Sequence, residues 1–166
     1  MKKLERPSKS EPPPSDPSSA KSEKERILYV EDEDENWSVA ELFLKRNYEV
    51  IRARNDREAC AAVLEHGPKI SAILMDIQLQ GSILDGVKLV RLFRGKLSLS
   101  DRPGFAQKVP VLNVPILFVT AYGARYSETE LRAAGADRMI KKPIDFMQLN
   151  TLLAHLRVQR VTPTSF

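Results

Sequence analysis

Short apolar runs alternate with segments of helical spacing along most of this chain, and this alternation limits the possible folds more than any other feature. Runs rich in β-forming residues predict strands at 27–31, 48–53, 70–75, 115–120 and 137–141. Apolar residues at helical spacing predict helices near 35–46, 56–66, 85–95, 125–134 and 145–159. The runs at 70–75 and 115–120 are apolar on both faces, as is typical of parallel strands covered by helices. The sequence therefore predicts an α/β fold with a doubly wound, five-stranded parallel sheet.

Residues typical of helix caps lie at the ends of several predicted helices. Asp56 and Asp145 stand where a side-chain oxygen can accept hydrogen bonds from the free N–H groups of a first turn. Gly67 and Gly135 follow helix ends, where a left-handed residue often closes the last turn. These four positions support the predicted helix boundaries.

The composition of the first 26 residues differs from that of the rest of the chain. This segment holds five of the eleven prolines, many Ser, Lys and Glu residues, and few large apolar residues. Such a segment buries too little apolar surface to offset the entropy lost on ordering. We therefore predict a disordered tail at 1–26, a folded domain at 27–160 and a short C-terminal tail at 161–166.

Charge and cysteine content exclude several classes of protein. The net charge is +4, but the residues from 27 onward carry nineteen basic and seventeen acidic side chains, which is too balanced for a nucleic-acid-binding surface. The single cysteine, Cys60, lies in an apolar helical pattern and excludes a disulfide framework within one chain. No segment has the length of a membrane span, and the N-terminus lacks the apolar core of a signal peptide. We expect a cytoplasmic protein without membrane insertion.

Polar side chains that can carry chemistry follow four of the predicted strands. The apolar run 27–30 leads directly into five acids at 31–35, and the third, fourth and fifth strands end near Asp76, Thr120 and Lys142. The carboxyl ends of parallel strands meet at one edge of an open sheet, where ligands bind. Considered singly, the acids suit a solvated helix start, and each of the other residues suits a turn, a cap or a solvated strand end. Their joint occurrence at four strand ends favours a site.

This set of side chains suits phosphoryl transfer. Carboxylates at one edge of a sheet can hold Mg²⁺, which prefers oxygen ligands. A carboxylate beside that ion can attack a phosphoryl group and become an aspartyl phosphate. A cation and a hydroxyl group opposite the metal would stabilise the charge on the phosphoryl oxygens. Lys142 and Thr120 supply these two groups.

Five segments together resemble the receiver domain of two-component response regulators. They match in order over roughly 26–158, and they read Ile-Leu-Tyr-Val-Glu-Asp-Glu from 27, Ile-Leu-Met-Asp-Ile-Gln-Leu from 73, Asp-Gly-Val-Lys-Leu-Val-Arg from 85, Pro-Ile-Leu-Phe-Val-Thr-Ala-Tyr from 115 and Ala-Gly-Ala-Asp-Arg-Met-Ile-Lys-Lys-Pro-Ile from 134. The resemblance implies a flavodoxin-like (βα)5 fold with the strand order 2-1-3-4-5.

The resemblance also implies the ligands of a magnesium ion. Asp76 matches the phosphoacceptor, which is itself a metal ligand, and Glu31 and Asp32 match the acidic pair. Within the pair, we expect Asp32 to contact the ion directly and Glu31 to contact it through water. The backbone carbonyl of Gln78 matches the position that completes the protein ligands.

Further positions match groups that act on the phosphoryl group. Thr120 resembles the switch hydroxyl and Lys142 resembles the phosphate-contacting lysine of the family. The peptide bond between Lys142 and Pro143 is usually cis in this family, which makes it a feature to check. By the same resemblance, Gln78 and Tyr122 match positions that tune hydrolysis of the phosphoryl group in this family.

The implied function is that of a stand-alone receiver. It would take a phosphoryl group from a histidine kinase or a histidine phosphotransfer protein and signal through a downstream protein, with a homodimer as a further option. We do not expect an enzyme, apart from self-catalysed phosphorylation and dephosphorylation. Two alternatives remain open. One is a pseudo-receiver that binds partners without phosphorylation, and the other is a magnesium-dependent phosphatase of the haloacid dehalogenase type, which uses a D-x-D motif such as 32–34 but needs cap elements that this chain lacks.

Three features depart from the receiver pattern. Met139 stands where an aromatic switch residue is common, and we expect it to pack in the core. The loop 80–84 is slightly extended and carries two apolar residues near the predicted site. The connection 96–114 is polar and longer than a βα unit normally needs, and we hypothesise that it forms a surface for a partner or a second copy of the chain.

Overall fold

A single parallel sheet forms the centre of the molecule. The computed structural model describes residues 23–121 and 125–161. The strands are β1 (Glu25–Val30), β2 (Tyr48–Ala53), β3 (Ile70–Asp76), β4 (Ile116–Thr120) and β5 (Arg138–Lys141). All neighbouring strands pair in parallel, in the order β2-β1-β3-β4-β5. The predicted doubly wound α/β fold and its strand order are confirmed.

Helices cover both faces of the sheet. They are α1 (Asp34–Leu44), α2 (Asp56–His66), α3 (Gly86–Phe93), α4 (Glu128–Ala134) and α5 (Phe146–Val161), with short 3-10 turns at Gly67–Lys69, Leu99–Asp101 and Gly104–Ala106. Alternate residues of β1 divide the core, because Ile27 and Tyr29 pack with α1 and α5 whereas Leu28 and Val30 pack with α2, α3 and α4. No helix in the described part of the chain is both long and apolar enough to cross a membrane.

The sheet extends into the segment predicted to be a tail. Strand β1 begins at Glu25, two residues before the predicted start, so the last two residues of 1–26 belong to the sheet. No apolar residue marks this start in the sequence, because Arg26 is held by an ion pair to Glu49 of β2, at 2.8 Å, rather than by burial of an apolar side chain. Helix α5 likewise includes Val161, the first residue of the predicted C-terminal tail. The rest of both predicted tails, at 1–22 and 162–166, lies outside the described residues.

Two of the four predicted caps have the expected geometry. Asp145 accepts hydrogen bonds from two backbone N–H groups in the first turn of α5, and Gly135 ends α4 in a left-handed conformation with φ of 113°. The prediction for Asp56 was wrong, because Asn55 caps α2 and Asp56 is the first residue of the helix. Gly67 follows α2, but at φ of −42° it continues into a 3-10 turn.

The long connection 96–114 packs on the sheet's α2–α3 side. Ala106, Val109 and Leu112 are buried in that half of the core, and the guanidinium of Arg57 lies 4.6 Å from the ring centre of Phe105. The connection is thus an integral part of the domain. Its role as a partner surface stays a prediction.

Candidate metal and phosphoryl-acceptor site

The predicted acidic residues meet at the carboxyl edge of the sheet. Glu31 and Asp32 directly follow β1, and Asp76 is the last residue of the neighbouring strand β3. Carboxylate oxygens of these three residues lie within 4.8 Å of one another. Asp32 and Asp76 border a cleft of about 320 Å³, which Gln78 and Thr120 also line. Parallel pairing of β1 with β3 brings together residues 44 to 45 positions apart in sequence.

A glycine allows helix α3 to begin against the end of β3. The backbone N–H of Gly86 donates to the carbonyl oxygen of Ile77 at 2.9 Å. A Cβ atom at position 86 would lie 1.9 Å from the carbonyl oxygen of Asp76, which is far inside contact distance. Any larger residue would therefore displace the backbone that carries the candidate phosphoacceptor.

Lys142 joins two of the acids. Its Nζ donates to Oδ2 of Asp76 at 2.8 Å and to Oε2 of Glu31 at 3.0 Å. The backbone N–H of Lys142 donates to the carbonyl oxygen of Thr120 at 2.8 Å, which continues the pairing of β4 with β5. The peptide bond between Lys142 and Pro143 is cis, as the resemblance suggested.

The two members of the acidic pair have different surroundings. Glu31 is fully buried, and besides Lys142 its carboxylate accepts hydrogen bonds from the Tyr29 hydroxyl and the backbone N–H of Glu33, both at 3.0 Å. Asp32 is less buried, and its Oδ2 accepts a hydrogen bond from the backbone N–H of Gln80 at 3.1 Å. The more accessible residue of the pair is thus Asp32, and the direct contact of Asp32 and the water-mediated contact of Glu31 with the ion stay predictions.

Burial and charge shift the protonation equilibria of the cluster. Burial, assisted by the neighbouring Glu31 carboxylate, raises the pKa of Asp76 from 3.8 to about 6, although Lys142 and the Gln78 N–H act in the opposite direction. Burial also opposes ionisation of Glu31, but hydrogen bonds from Glu33, Lys142 and Tyr29 outweigh it and lower the pKa of that carboxyl group. Burial acts to lower the pKa of Lys142, whereas its bonds to the two carboxylates raise it overall.

The other predicted residues lie around the cleft. The Thr120 hydroxyl is buried and donates to the carbonyl oxygen of Ala121 at 3.0 Å, so it is not bonded to the acids. The backbone N–H of Gln78 donates to Oδ1 of Asp76 at 3.2 Å, and the role of its carbonyl as a metal ligand stays a prediction. Met139 is half-buried and packs against the core, as expected. Tyr122 lies outside the described residues.

Sequence reasoning missed several residues that orient the acids. Tyr29 stands two residues before Glu31 on the same strand face, a spacing that could have revealed it. Gln80 contacts Asp32 through its backbone N–H, which no side-chain motif predicts. Arg52 bonds the carbonyl oxygens of Glu31 and Asp32 from β2, and only the register of the two strands brings it there.

The residues present fit a magnesium ion. Three carboxylates offer oxygen donors, and the described part of the chain places no histidine or cysteine among them. Oxygen donors are the ligands that Mg²⁺ prefers, with water completing its coordination. Receiver domains bind Mg²⁺ at an acidic pocket of this kind.

Comparisons with known proteins agree with this geometry. The model of the response regulator receiver domain matches residues 27–154. The polar-differentiation response regulator DivK of Brucella anthropi is 30% identical over 119 residues, which are 71% of this chain and 84% of that protein. The uncharacterized transcriptional regulatory protein YrkP of Bacillus subtilis is 31% identical over 134 residues, 80% of this chain and 49% of that protein.

Solved structures show the same architecture. A putative response regulator from Chloroflexus aurantiacus aligns with a TM-score of 0.63 at 25% identity, over 82% of this chain and 99% of that chain. The receiver domain of NtrX from Brucella abortus aligns with a TM-score of 0.62 at 23% identity, over 80% and 98% of the two chains, which concerns the fold alone. By the family match, by its similarity to DivK and by its strand order, the chain belongs to the response regulator receiver domain family.

Proposed function

We propose that this receiver accepts a phosphoryl group on Asp76, with Mg²⁺ bound by the adjacent carboxylates, from a histidine kinase or a histidine phosphotransfer protein. The observation that carries the proposal is the contact of Lys142 with Asp76 and Glu31, at 2.8 and 3.0 Å, beside Asp32 at one sheet edge. A carboxylate that lies between a lysine and further carboxylates is suited to receive a group whose charge needs neutralisation on several sides.

Asp76 is the nucleophile of the proposed transfer. One of its carboxylate oxygens forms the new P–O bond while the P–N bond to the donor's histidine breaks, and the imidazole leaves with the electron pair of that bond. Mg²⁺, when bound, neutralises charge on the phosphoryl oxygens. Lys142 holds Asp76 in place by the 2.8 Å bond before transfer, and its ammonium then remains available to a phosphoryl oxygen.

Thr120 is the proposed link from the phosphoryl group to the surface. Its hydroxyl donates to the carbonyl oxygen of Ala121 in the unphosphorylated structure. If that hydroxyl turned toward a phosphorylated Asp76, it would donate to a charged phosphoryl oxygen in place of the Ala121 carbonyl oxygen. The backbone that follows β4 would thereby lose this hydrogen bond. To convert a mostly inactive population into a mostly active one, roughly 5 kcal/mol of differential stabilisation is needed. A phosphate held by a metal, a lysine and a hydroxyl group is a plausible source of that energy.

A direct test is incubation with a small acyl phosphate and MgCl2, followed by intact mass measurement. The wild type gains one phosphoryl group in our account, and Asp76→Asn gains none. Asp101→Asn, a change to an exposed acid in the 96–114 connection, serves as the matched control and gains the group. Absence of the adduct from the wild type would favour the pseudo-receiver alternative, in which the domain binds partners without phosphorylation.

The phosphatase alternative needs Asp34 as the second acid of the D-x-D motif. The carboxylate of Asp34 is 81% exposed and pairs with Arg52 at 2.6 Å, so it is engaged outside the acid cluster. Turnover of small phosphate esters that is lost on changing Asp32 but kept on changing Asp76 would support this alternative.

We propose the cytoplasm as the location of transfer, because the ATP that charges histidine kinases is found there.

A further inference from the structure

One arginine outside the acid cluster holds the backbone that carries it. Arg52, near the end of β2, donates from Nε to the carbonyl oxygen of Glu31 at 3.1 Å and from Nη2 to that of Asp32 at 3.2 Å. Its remaining nitrogen, Nη1, donates to the carboxylate of Asp34 at 2.6 Å. A single guanidinium therefore contacts Glu31 and Asp32, in the short segment between β1 and α1, and Asp34, the first residue of α1.

The surroundings of Arg52 restrict its motion. The side chain is only 10% exposed, and its guanidinium carbon lies 5.5 Å from the ring centre of Trp37 on α1. In the sheet, Arg52 is paired in register with Tyr29 of β1. A planar guanidinium can make several hydrogen bonds at fixed angles while stacking on an aromatic ring, which a lysine ammonium cannot do. One side chain thereby joins β2, the acidic segment and α1.

Arg52 binds the acids of this region through different groups, so that their carboxylates point to different places. It engages Asp34 through the carboxylate, so that this acid is tied to β2. It engages Glu31 and Asp32 through carbonyl oxygens alone, and the carboxylates of these two residues lie within 4.8 Å of the Asp76 carboxylate. Without Arg52, Glu31, Asp32 and Asp34 would together lose three hydrogen bonds, and the mutual repulsion of the acids would act on a less constrained backbone.

We propose that Arg52 is a positioning residue for the magnesium site: it fixes the backbone of Glu31 and Asp32 and keeps Asp34 away from the cation. The inference rests on the proposed function, because it concerns the same site. Arg52 bonds the carbonyl oxygens of Glu31 and Asp32, whereas the candidate ligands are carboxylate oxygens, so it acts through the residues it holds. Groups that orient metal ligands typically change metal affinity by about 10- to 100-fold when they are replaced.

The sign of the effect separates positioning from simple electrostatics. A positive charge near a cation site repels the cation, so removal of the Arg52 charge would by itself strengthen Mg²⁺ binding. Loss of the bonds to the backbone acts in the opposite direction, because the ligands then lose entropy when they bind the ion. Weaker binding by a folded variant that lacks this charge therefore indicates positioning.

The test is a titration of the metal-free protein with MgCl2, followed by two-dimensional NMR of the backbone amides. The shifts of Gln78 and Gln80 report the ion, and the remaining amides report the fold. We expect Arg52→Met to bind Mg²⁺ roughly tenfold more weakly than the wild type. Arg54→Met is the matched control, because Arg54 lies 3.9 Å from Asp34 but is 59% exposed. We expect its affinity to stay within about twofold of the wild type.

A second variant keeps the inference testable if Arg52→Met does not fold. Arg52→Lys retains the charge and an aliphatic stem beside Trp37, but it cannot bridge two carbonyl oxygens and a carboxylate, so we expect it also to bind Mg²⁺ more weakly. Wild-type or stronger affinity in either folded variant would overturn the inference and leave the proposed function intact. Absence of Mg²⁺-dependent shifts in the wild type would instead overturn the proposed function, and this inference with it.

Discussion

The buried charge of Asp76 makes a specific prediction for the free energy of unfolding. Asp76 is 7% exposed, and its pKa is raised from 3.8 to about 6, chiefly by burial. The pKa of Asp76 is higher in the folded state than in the unfolded state. The contribution of its neutral form to the free energy of unfolding is therefore fully present below pH 3.8 and is lost as the pH rises through 6. Each tenfold change in the dissociation constant corresponds to about 1.4 kcal/mol, so ionised Asp76 destabilises the metal-free fold by about 3 kcal/mol.

We therefore expect Asp76→Asn to stabilise the metal-free protein at pH 8 by about 2 to 3 kcal/mol, since the amide is neutral and of similar shape. At pH 5 the gain should fall to about half, because much of the wild-type carboxyl group is then protonated in the folded state. The assay is urea denaturation followed by circular dichroism in the presence of EDTA, with m-values compared to exclude changes in the unfolded state.

Asp32→Asn is the matched control for this experiment. Asp32 lies in the same cluster but is less buried and has no bond to Lys142. We expect its effect to stay below about 0.5 kcal/mol at either pH, as for other substitutions of partly exposed side chains. Equal or lower stability of Asp76→Asn at pH 8, relative to the wild type, would refute the reasoning about the buried charge.

Three further predictions concern the surroundings of the site. Lys142→Met leaves the buried carboxylates of Asp76 and Glu31 without their cation. We expect urea denaturation at pH 7.5 to show a free energy of unfolding lower by about 3 kcal/mol, and an unchanged midpoint would contradict the role of this contact. Burial raises the pKa of Cys60 to about 12, so little of the reactive thiolate is present at pH 8 in the native protein. We expect iodoacetamide at pH 8 to label Cys60 in urea but not in the native protein, as measured by intact mass spectrometry. Asp56→Ala removes the acceptor of three backbone N–H groups. It should lower the thermal unfolding temperature and reduce the free energy of unfolding by about 2 to 3 kcal/mol, whereas replacement of an exposed acid by alanine should not.

Much of the fold follows from the sequence because its main signals are local. Strand β3 and strand β4 are continuous apolar runs, and such runs predict buried parallel strands without knowledge of their neighbours. The start of β1 could not be predicted in this way, because Arg26 is held in the sheet by Glu49, a residue 23 positions away. Asp56 was misassigned for the same reason, since two of the three backbone N–H groups that its carboxylate binds belong to the distant loop at 83–84 and only one, that of Arg57, belongs to its own helix.

The candidate site shows the same division between local and distant signals. Asp76, Thr120 and Lys142 were predicted because each ends an apolar run, and the topology brings such ends together. Arg52 could not be predicted, because its bonds depend on the register between β1 and β2 and on the path of the chain after Glu31. The residues that carry chemistry could thus be predicted from local patterns, whereas Arg52, which orients two of them, depends on contacts between residues distant in sequence.

The most direct test of the central claim is to identify the modified residue itself. After incubation with a small acyl phosphate and MgCl2, treatment with borohydride reduces an aspartyl phosphate to homoserine, and peptide mass spectrometry then locates it. We predict homoserine at position 76 and at no other aspartate, with none in a sample that lacks MgCl2. Homoserine at position 32, or none at any position despite a native fold, would contradict the assignment of Asp76 as the phosphoacceptor.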